Sequence, residues 1–473
     1  MAYAFSRDDI AYLASPAGAA ALAQVGDFAL TPASLLKDLE RLRRAHGDHA
    51  PALVETVRLR RRAAAKLDGA AEWLFTDDAL QQATPSPVAR HRARRLAGRT
   101  VHDVTCSIGA ELAALSEVCP AVIGSDLDSV RLAMAAHNLG APQLDSRTDG
   151  DDPHRRKSEA AGTPGADVRA DGGGIDSRSR PPGALGAEAR ATASSCETSV
   201  ATNAEPAAPA SALADGHASA LSRHPRVTRN VLLVKADALV PCSTAEVVIA
   251  DPARRADGRR THDPARLQPP LPDLLAAYAG RDLAVKCAPG LDFDKLAWQG
   301  EIEVVSLDGA VREACLWSPG LAEQGVTRRA TVLSSSGRPW TLTDADPDDI
   351  PQREPGQWII DPDGAVVRAG LVRHYAAKHR LWQLDPRIAY LTGDEVPEGV
   401  RGFRVLDRLE FREKPLRAEL HRRDCGPLEI LVRGVDVDPD ALRARIKPRG
   451  SQPHTLIITR IGRTATVFVC STP

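Results

Sequence analysis

Apolar positions along this chain fall into three regimes. Over residues 1–97 they recur at helical spacing between charged residues, as in Leu36, Leu39 and Leu42 and again in Leu53, Val57 and Leu59, so this stretch predicts an N-terminal helical region. Ser86-Pro87 reads as an N-cap followed by Pro in the first helical position. The helix it opens has Val88, Ala89, Ala93 and Leu96 for packing, with Arg90, Arg92, Arg94 and Arg95 between them. That arginine run predicts either a solvated face or a face turned to phosphates.

From residue 98 the period changes to short apolar runs. Those at 101–104, 121–126, 230–235, 246–250 and 282–286 are the length of buried strands, and helical segments at 110–118, 129–139 and 271–279 alternate with them. Asp128 is placed to cap the helix at 129–139. Alternating runs at 301–307 and 310–317 then flank Asp308-Gly309, a hairpin signal. The predicted architecture is α/β: a Rossmann-like parallel sheet that ends in an antiparallel hairpin.

Residues 141–228 interrupt this unit. Asp149-Gly150-Asp151-Asp152, Gly172-Gly173-Gly174 and Ala207-Ala208-Pro209-Ala210 have no periodicity and few large apolar side chains nearby, which predicts a disordered insert between the second and third strands. Its charges are mixed, so an inert insertion is preferred over an RNA-binding tail. The third regime, 329–473, includes a strand at 427–433, a helix opened by Asp438-Pro439 and running to Ile446, and strands at 455–460 and 464–470 joined through Gly462-Arg463. The expected division is 1–97, 98–328 with the insert, and 329–473, the last ending in a small α+β unit at about 400–473.

Composition narrows the classes. With 61 basic and 62 acidic residues in 473, the chain is nearly neutral, which argues against wholesale coating of nucleic acid and leaves local basic faces open. Basic residues modestly outnumber acids over 371–473. Eight cysteines lie scattered without a C-x-x-C pair, the pattern of reduced thiols in a cytoplasmic protein rather than a disulfide framework or zinc site. The first residues carry acids where a signal peptide needs an apolar run, and no apolar stretch is long enough to span a bilayer. Neither a metal nor a membrane partner is expected; oligomeric state is not indicated.

The candidate chemistry is at the strand ends. Val101-His102-Asp103-Val104-Thr105-Cys106-Ser107-Ile108-Gly109 is a strand running into a tight polar turn before a helix, and the next strand ends in Asp126, where a ribose can be gripped through two hydroxyls. Loop plus acid points to an adenosine-containing cofactor. The third strand is followed by Asp237, and the fourth by Asp251-Pro252-Ala253-Arg254-Arg255.

In these four stations the chain resembles the class I S-adenosylmethionine-dependent methyltransferases, whose usual series is D-x-x-C-G-x-G, an acid after strand two, an acid after strand three, and (D/N)-P-P-x after strand four. It is most similar to a bacterial branch with D-P-A-R-R and a C-terminal THUMP-like domain. Gln82-Ala83-Thr84-Pro85, the segment 88–93, Lys286-Cys287-Ala288-Pro289-Gly290 and Ile430-Leu431-Val432-Arg433-Gly434 also look like that branch. The resemblance covers nearly all of the chain outside the insert.

The resemblance implies S-adenosyl-L-methionine held by Asp103, Cys106, Ser107, Gly109, Asp126 and Asp237, with Asp126 on the ribose hydroxyls and Asp237 on the adenine amino group. It implies transfer at Asp251, Pro252 and Arg254. Arg254 stands where amino-methyltransferases generally carry a base-stacking aromatic, and a guanidinium can stack on a base or bind a phosphate. Ser107 stands where the family usually has Gly; its side chain is tolerated if the local φ is negative and otherwise weakens cofactor binding. THUMP domains bind RNA, so RNA is the expected partner and a base nitrogen in RNA the expected target. Methylation of a small molecule or protein, and a non-catalytic RNA-binding relative, are the alternatives.

Overall fold

The computed structural model describes residues 3–144, 230–253, 255–256, 259–260 and 263–471. The expected insert, 141–228, lies outside the described residues except for 141–144, where Gln143–Leu144 forms a short strand and not the disordered chain expected there, and Arg254 also lies outside them.

The chain opens with helices α1 (Arg7–Leu13), α2 (Pro16–Gly26), α3 (Leu35–His46), α4 (Ala50–Ala63), α5 (Asp77–Gln82) and α6 (Ser86–Arg95). Local chemistry starts them. Ser6 and Asp9 form a reciprocal capping box on α1, and Ser15 and Thr76 accept backbone N–H groups at α2 and α5. Leu42, Leu53, Val57 and Leu59 are buried as their spacing predicts, while Leu36 is exposed. Ser86 is not the cap expected of it: α6 starts one residue earlier, after Pro85, and the Ser86 hydroxyl accepts from the Asp68 N–H at 2.9 Å. The helical core also takes in Ile108 and Met134 from the following unit.

That unit is a sheet with ten strands among the described residues. They are β1 (Thr100–Asp103), β2 (Ala121–Asp126), β3 (Gln143–Leu144), β4 (Val231–Lys235) and β5 (Val247–Ala250). Beyond the two-residue ribbon strands β6 (Arg255–Ala256) and β7 (Arg259–Arg260), which form a separate pair, the sheet continues with β8 (Asp282–Cys287), β9 (Glu301–Leu307), β10 (Ala310–Trp317), β11 (Arg328–Leu333) and β12 (Trp340–Thr343). The order is β12-β11-β9-β10-β8-β5-β1-β2-β4-β3. From β4 to β8 neighbours are parallel, and β10 then runs antiparallel to both β8 and β9. Asp308 and Gly309 turn the hairpin with φ of 51° and 74°, the left-handed pair such a tight turn demands. The sheet runs past this hairpin through β11 and β12.

Helices α7 (Ala110–Ser116), α8 (Ser129–Leu139) and α9 (Leu271–Ala277) provide the crossovers. Asp128 caps α8 by accepting from Val130 and Arg131 N–H, and Gly140 closes it in the left-handed region.

Two of the four arginines of α6 follow neither expectation. Arg92 is 2% exposed and ion-paired to Glu111 and Glu313. Arg95 binds Glu301 at 2.6 Å and Glu303 at 2.8 Å, on the fully buried strand β9, and Arg90 pairs with Asp68. Burial would raise the Glu303 carboxyl, but His91, Arg95 and Thr331 hold it well below its ordinary range. Half of the run, Arg92 and Arg95, is therefore spent on internal acids, mostly contributed some 200 residues away, which helical spacing does not reveal; Arg94 is exposed and Arg90 pairs with an exposed acid, as a solvated face would have them.

The rest of the chain builds a second sheet from β13 (Trp358–Ile360), β14 (Trp382–Gln383), β15 (Leu391–Gly393), β16 (Gly402–Glu410), β17 (Cys425–Arg433), β18 (Gln452–Ile461) and β19 (Thr464–Ser471), in the order β14-β15-β13-β16-β19-β18-β17. Helices α10 (Gly364–Arg368) and α11 (Val372–Lys378) precede β14, and α12 (Glu413–Arg422) and α13 (Pro439–Ile446) follow β16 and β17. Leu416 and Leu420 of α12 and Leu442 and Ile446 of α13 pack on Leu456, Ile458, Val467 and Val469, while Ile457 and Phe468 face Ile359, Tyr390 and Phe403 on the other side. The strand–helix–strand–strand pattern expected at the C-terminus is present, preceded by β16 and α12, which carry no comparable sequence signal. Among the described residues no helix is long and apolar enough to cross a membrane, no cluster of metal-ligating side chains gathers, and the cysteines carry free thiols.

Candidate functional site

A cleft of about 1310 Å³ opens at the carboxyl ends of β1, β2, β4 and β5, where an open α/β sheet offers its ligand crevice. Asp103, Cys106, Ser107, Asp126, Asp237 and Asp251 all line it. Residues spread over 150 positions thus meet in one cavity because their strands are neighbours in the sheet.

The loop after β1 is tied from both sides. Asp103, buried at the strand end, accepts from the Thr105 N–H at 3.0 Å and its hydroxyl at 3.3 Å. The Thr105 hydroxyl oxygen in turn accepts from the Asp251 N–H at 2.7 Å, which joins this loop to the one after β5. Ser107 adopts φ 49°, contrary to the condition on which its side chain was expected to be tolerated. A left-handed non-Gly residue costs about 1–2 kcal/mol. The offset is visible: its N–H donates to Asp126 Oδ2 at 3.0 Å, a charge-assisted bond across to β2. Gly109, at φ 85°, opens α7; a Cβ there would lie 2.8 Å from Leu139 Cδ1.

Electrostatics set the acids apart. Burial pushes the Asp103 carboxyl up to about 7, against the Thr105 N–H bond; Glu111 and Asp251 reinforce the rise and Lys286 opposes it. Asp126 is also raised by burial, with backbone N–H groups of Asp128 and Ser107 opposing. Its Oδ1 accepts from Asp128 N–H at 2.8 Å. Burial drives the Cys106 thiol well up, helped by the charges of Asp103 and Asp126, so it lines the wall as a neutral group. Asp237 is exposed; one oxygen accepts from the Leu239 N–H at 2.9 Å, holding the turn after β4. Asp251 pairs with the buried Lys286 of β8, and Pro252 is buried beside it.

Glu111 and Leu127 join the site without a sequence signal for it. Glu111 lines the cleft from the first turn of α7, where an acid reads as a dipole partner. It approaches Arg92 to 2.6 Å without hydrogen-bond geometry, so both its carboxylate oxygens lack a donor among the described residues. Leu127 is 61% exposed on the same cleft. Thr84, in the Gln-Ala-Thr-Pro segment already singled out, is on the opposite side of the chain's connectivity yet lines the cleft as well.

An S-adenosylmethionine-dependent methyltransferase of Mycobacterium tuberculosis, itself described as uncharacterized, is 47% identical over 442 residues, 91% of this chain and 99% of that protein; sequences from two strains match equally. The chain belongs to the S-adenosylmethionine-dependent methyltransferases. A THUMP domain-like family matches residues 400–472 of this methyltransferase, and a domain of unknown function matches 6–63. Its fold is shared with a crystal structure described as a methyltransferase from Porphyromonas gingivalis, at a TM-score of 0.63 and 15% identity, covering 99% of this chain and all of the other.

The residues present fit the cofactor of this family. Leu127 offers an apolar surface next to the Asp126 carboxylate, and Glu111 and Asp103 supply buried acids to a cationic ligand; Gly109 does not line the cleft and serves it indirectly, letting α7 start against Leu139 and Ala135 of α8.

Proposed function

We propose that this methyltransferase modifies a base nitrogen in RNA. The observation carrying the proposal is the placement of Asp251 on the same cleft as residues 103–108 and Asp126, with Pro252 on the adjoining smaller cavity, in a chain that also has a THUMP-like unit. In this reading Asp126 accepts from the ribose hydroxyls, Asp237 uses its outward oxygen on the adenine amino group, and Leu127 packs on the ring. Cys106 and Ser107 form the floor, Gly109 behind them sets the start of α7, and Asp103 with Glu111 holds the methionine ammonium. S-adenosylmethionine, when bound, supplies a methyl group already activated on a sulfonium, so alignment and exclusion of water matter more than acid–base assistance.

The chain's own work is then positional. Lys286 fixes the Asp251 carboxylate, and Asp251 accepts a hydrogen bond from the target N–H. That bond leaves the nitrogen lone pair free for the methyl carbon and gives the departing proton an acceptor. Pro252 locks φ, so the neighbouring carbonyl is fixed in direction. Arg254, one residue beyond Ala253, is assigned from the sequence to the base or its phosphate.

The test is to incubate the full chain with tritiated S-adenosylmethionine and total RNA from a strain lacking the gene, then digest to nucleosides. A labelled base in RNA is the expected result. Label confined to small molecules or protein would replace RNA with that substrate class.

A further inference from the structure

Beside the main cleft, and sharing Thr84, Asp251 and Lys286 with it, lies a second cavity of about 280 Å³. Its charged wall comes from three distant parts of the chain: Lys66 after α4, Lys286 on β8, and Arg312 and Glu313 on β10, together with Asp251. The two acids are already engaged, Asp251 by Lys286 and Glu313 by the buried Arg92. Lys66 donates only to backbone carbonyls, of Leu80 at 2.8 Å and Gln81 at 2.9 Å, and Arg312 reaches only the Leu307 carbonyl at 3.4 Å. Among the described residues neither cation has a carboxylate partner.

We propose that this side cavity is a phosphate subsite, holding a backbone phosphate next to the nucleotide presented to Asp251-Pro252. The proposal rests on the RNA reading for the identity of the molecule that carries the phosphate, but not for the anion site itself. Two unpaired cations in one concavity call for a group that several donors can share. A phosphate diester spreads its negative charge over two non-bridging oxygens, each able to accept from more than one donor. Thr84, 4% exposed, adds a neutral hydroxyl donor on the wall common to both cavities. The mutual repulsion is already felt by Lys66, whose ammonium is lowered to about 8 by burial and then by Lys286 and Arg312, with Asp251 opposing. An anion bound there relieves that repulsion.

A lysine lowered in this way reacts preferentially with amine-directed reagents, which gives a readout independent of methyl transfer. The full chain is labelled with a limiting acylating reagent at pH 7.5, and modification of Lys66 is followed by peptide mass spectrometry. Inorganic phosphate at tens of millimolar should slow Lys66 labelling at least fivefold in the wild type and less than twofold in Arg312→Gln, a surface change that leaves the fold intact. A mixed-sequence RNA oligonucleotide should protect as well, and one with a neutral methylphosphonate backbone should not. Equal labelling with and without phosphate in the wild type would overturn the subsite. Protection by phosphate in a protein that labels no RNA would keep the subsite and discard the RNA reading.

Discussion

Cofactor binding should depend on pH through Asp103. Its carboxyl is buried against Glu111, Asp251, Cys106 and Lys286 and lies at about 7 rather than the ordinary 3.8. The sign follows from the raised value. In the cofactor-free protein the protonated form is favoured by the fold, so the stability it contributes is complete below about pH 4 and is lost as pH rises through 7, by on the order of 4 kcal/mol at most. A cationic ligand reverses this preference, because it binds the ionised form and releases a proton. With a free-protein value near 7 and a much lower one in the complex, the apparent Kd scales as 1 + 10^(7 − pH). Between pH 7.0 and pH 5.5 it should rise roughly fifteenfold, a window that stays below the titration of an amino acid's own α-ammonium. Isothermal calorimetry in two buffers of different ionisation enthalpy checks both parts: affinity should fall with acid, and proton release should approach one per cofactor at pH 5.5. Asp126, also raised by burial, adds to the slope, so Asp103→Asn is the isolating variant and should flatten most of it. A wild-type Kd constant within twofold over this range, or an unchanged slope in Asp103→Asn, would refute the placement of Asp103 against the ligand's charge.

Asp126→Ala should weaken S-adenosylmethionine at least tenfold, since each hydrogen bond to a charged acceptor contributes about 1.5–3 kcal/mol; equal calorimetric affinity would remove Asp126 from the site. Arg92→Leu leaves Glu111 and Glu313 buried without their cation and should cost about 3–5 kcal/mol in urea unfolding, whereas a loss under 1 kcal/mol would mean the pair is not formed. Arg254→Ala should abolish transfer to RNA while sparing cofactor binding, and Arg254→Lys should rescue poorly because an ammonium neither stacks nor makes a bidentate contact; undiminished labelling by Arg254→Ala would move the substrate contact elsewhere.

Features of the chain determined by local chemistry were legible before any coordinates. The Asp128 cap, the Asp308-Gly309 turn, the Asp438-Pro439 helix start and the acids at the ends of β1, β2, β4 and β5 depend on residue type and short spacing, and a parallel sheet then brings its strand ends together whatever the loops contain. Long-range pairing left no such trace. The partners of Arg92 and Arg95 are 206 to 221 residues further along or across a helix pair, so the same run reads as a solvated face until β9 and β10 are in place. Lys66 looks like a surface lysine until Arg312 and Lys286 are seen around it. Ser107 was legible only in part. The cost of a positive φ is intrinsic to the residue, but the hydrogen bond to Asp126 that offsets it exists only once two strands lie side by side.

The meeting of the N-terminal helices with the cofactor loop bears on where this protein can be cut. Ile108 and Met134 are buried in the helical core, and Asn138 of α8 accepts from the Leu74 N–H at 2.7 Å while donating to the carbonyls of Leu74 and Ile108. A fragment beginning at residue 98 would keep every strand of the large sheet and lose this backing: two apolar side chains turned out to water, a buried amide stripped of two of its three partners, and the loop carrying Ser107 and Gly109 held on one flank only. The first hundred residues therefore behave as the rear wall of the cleft and not as a detachable appendage, and any exchange of catalytic parts between relatives has to carry wall and loop as a matched set.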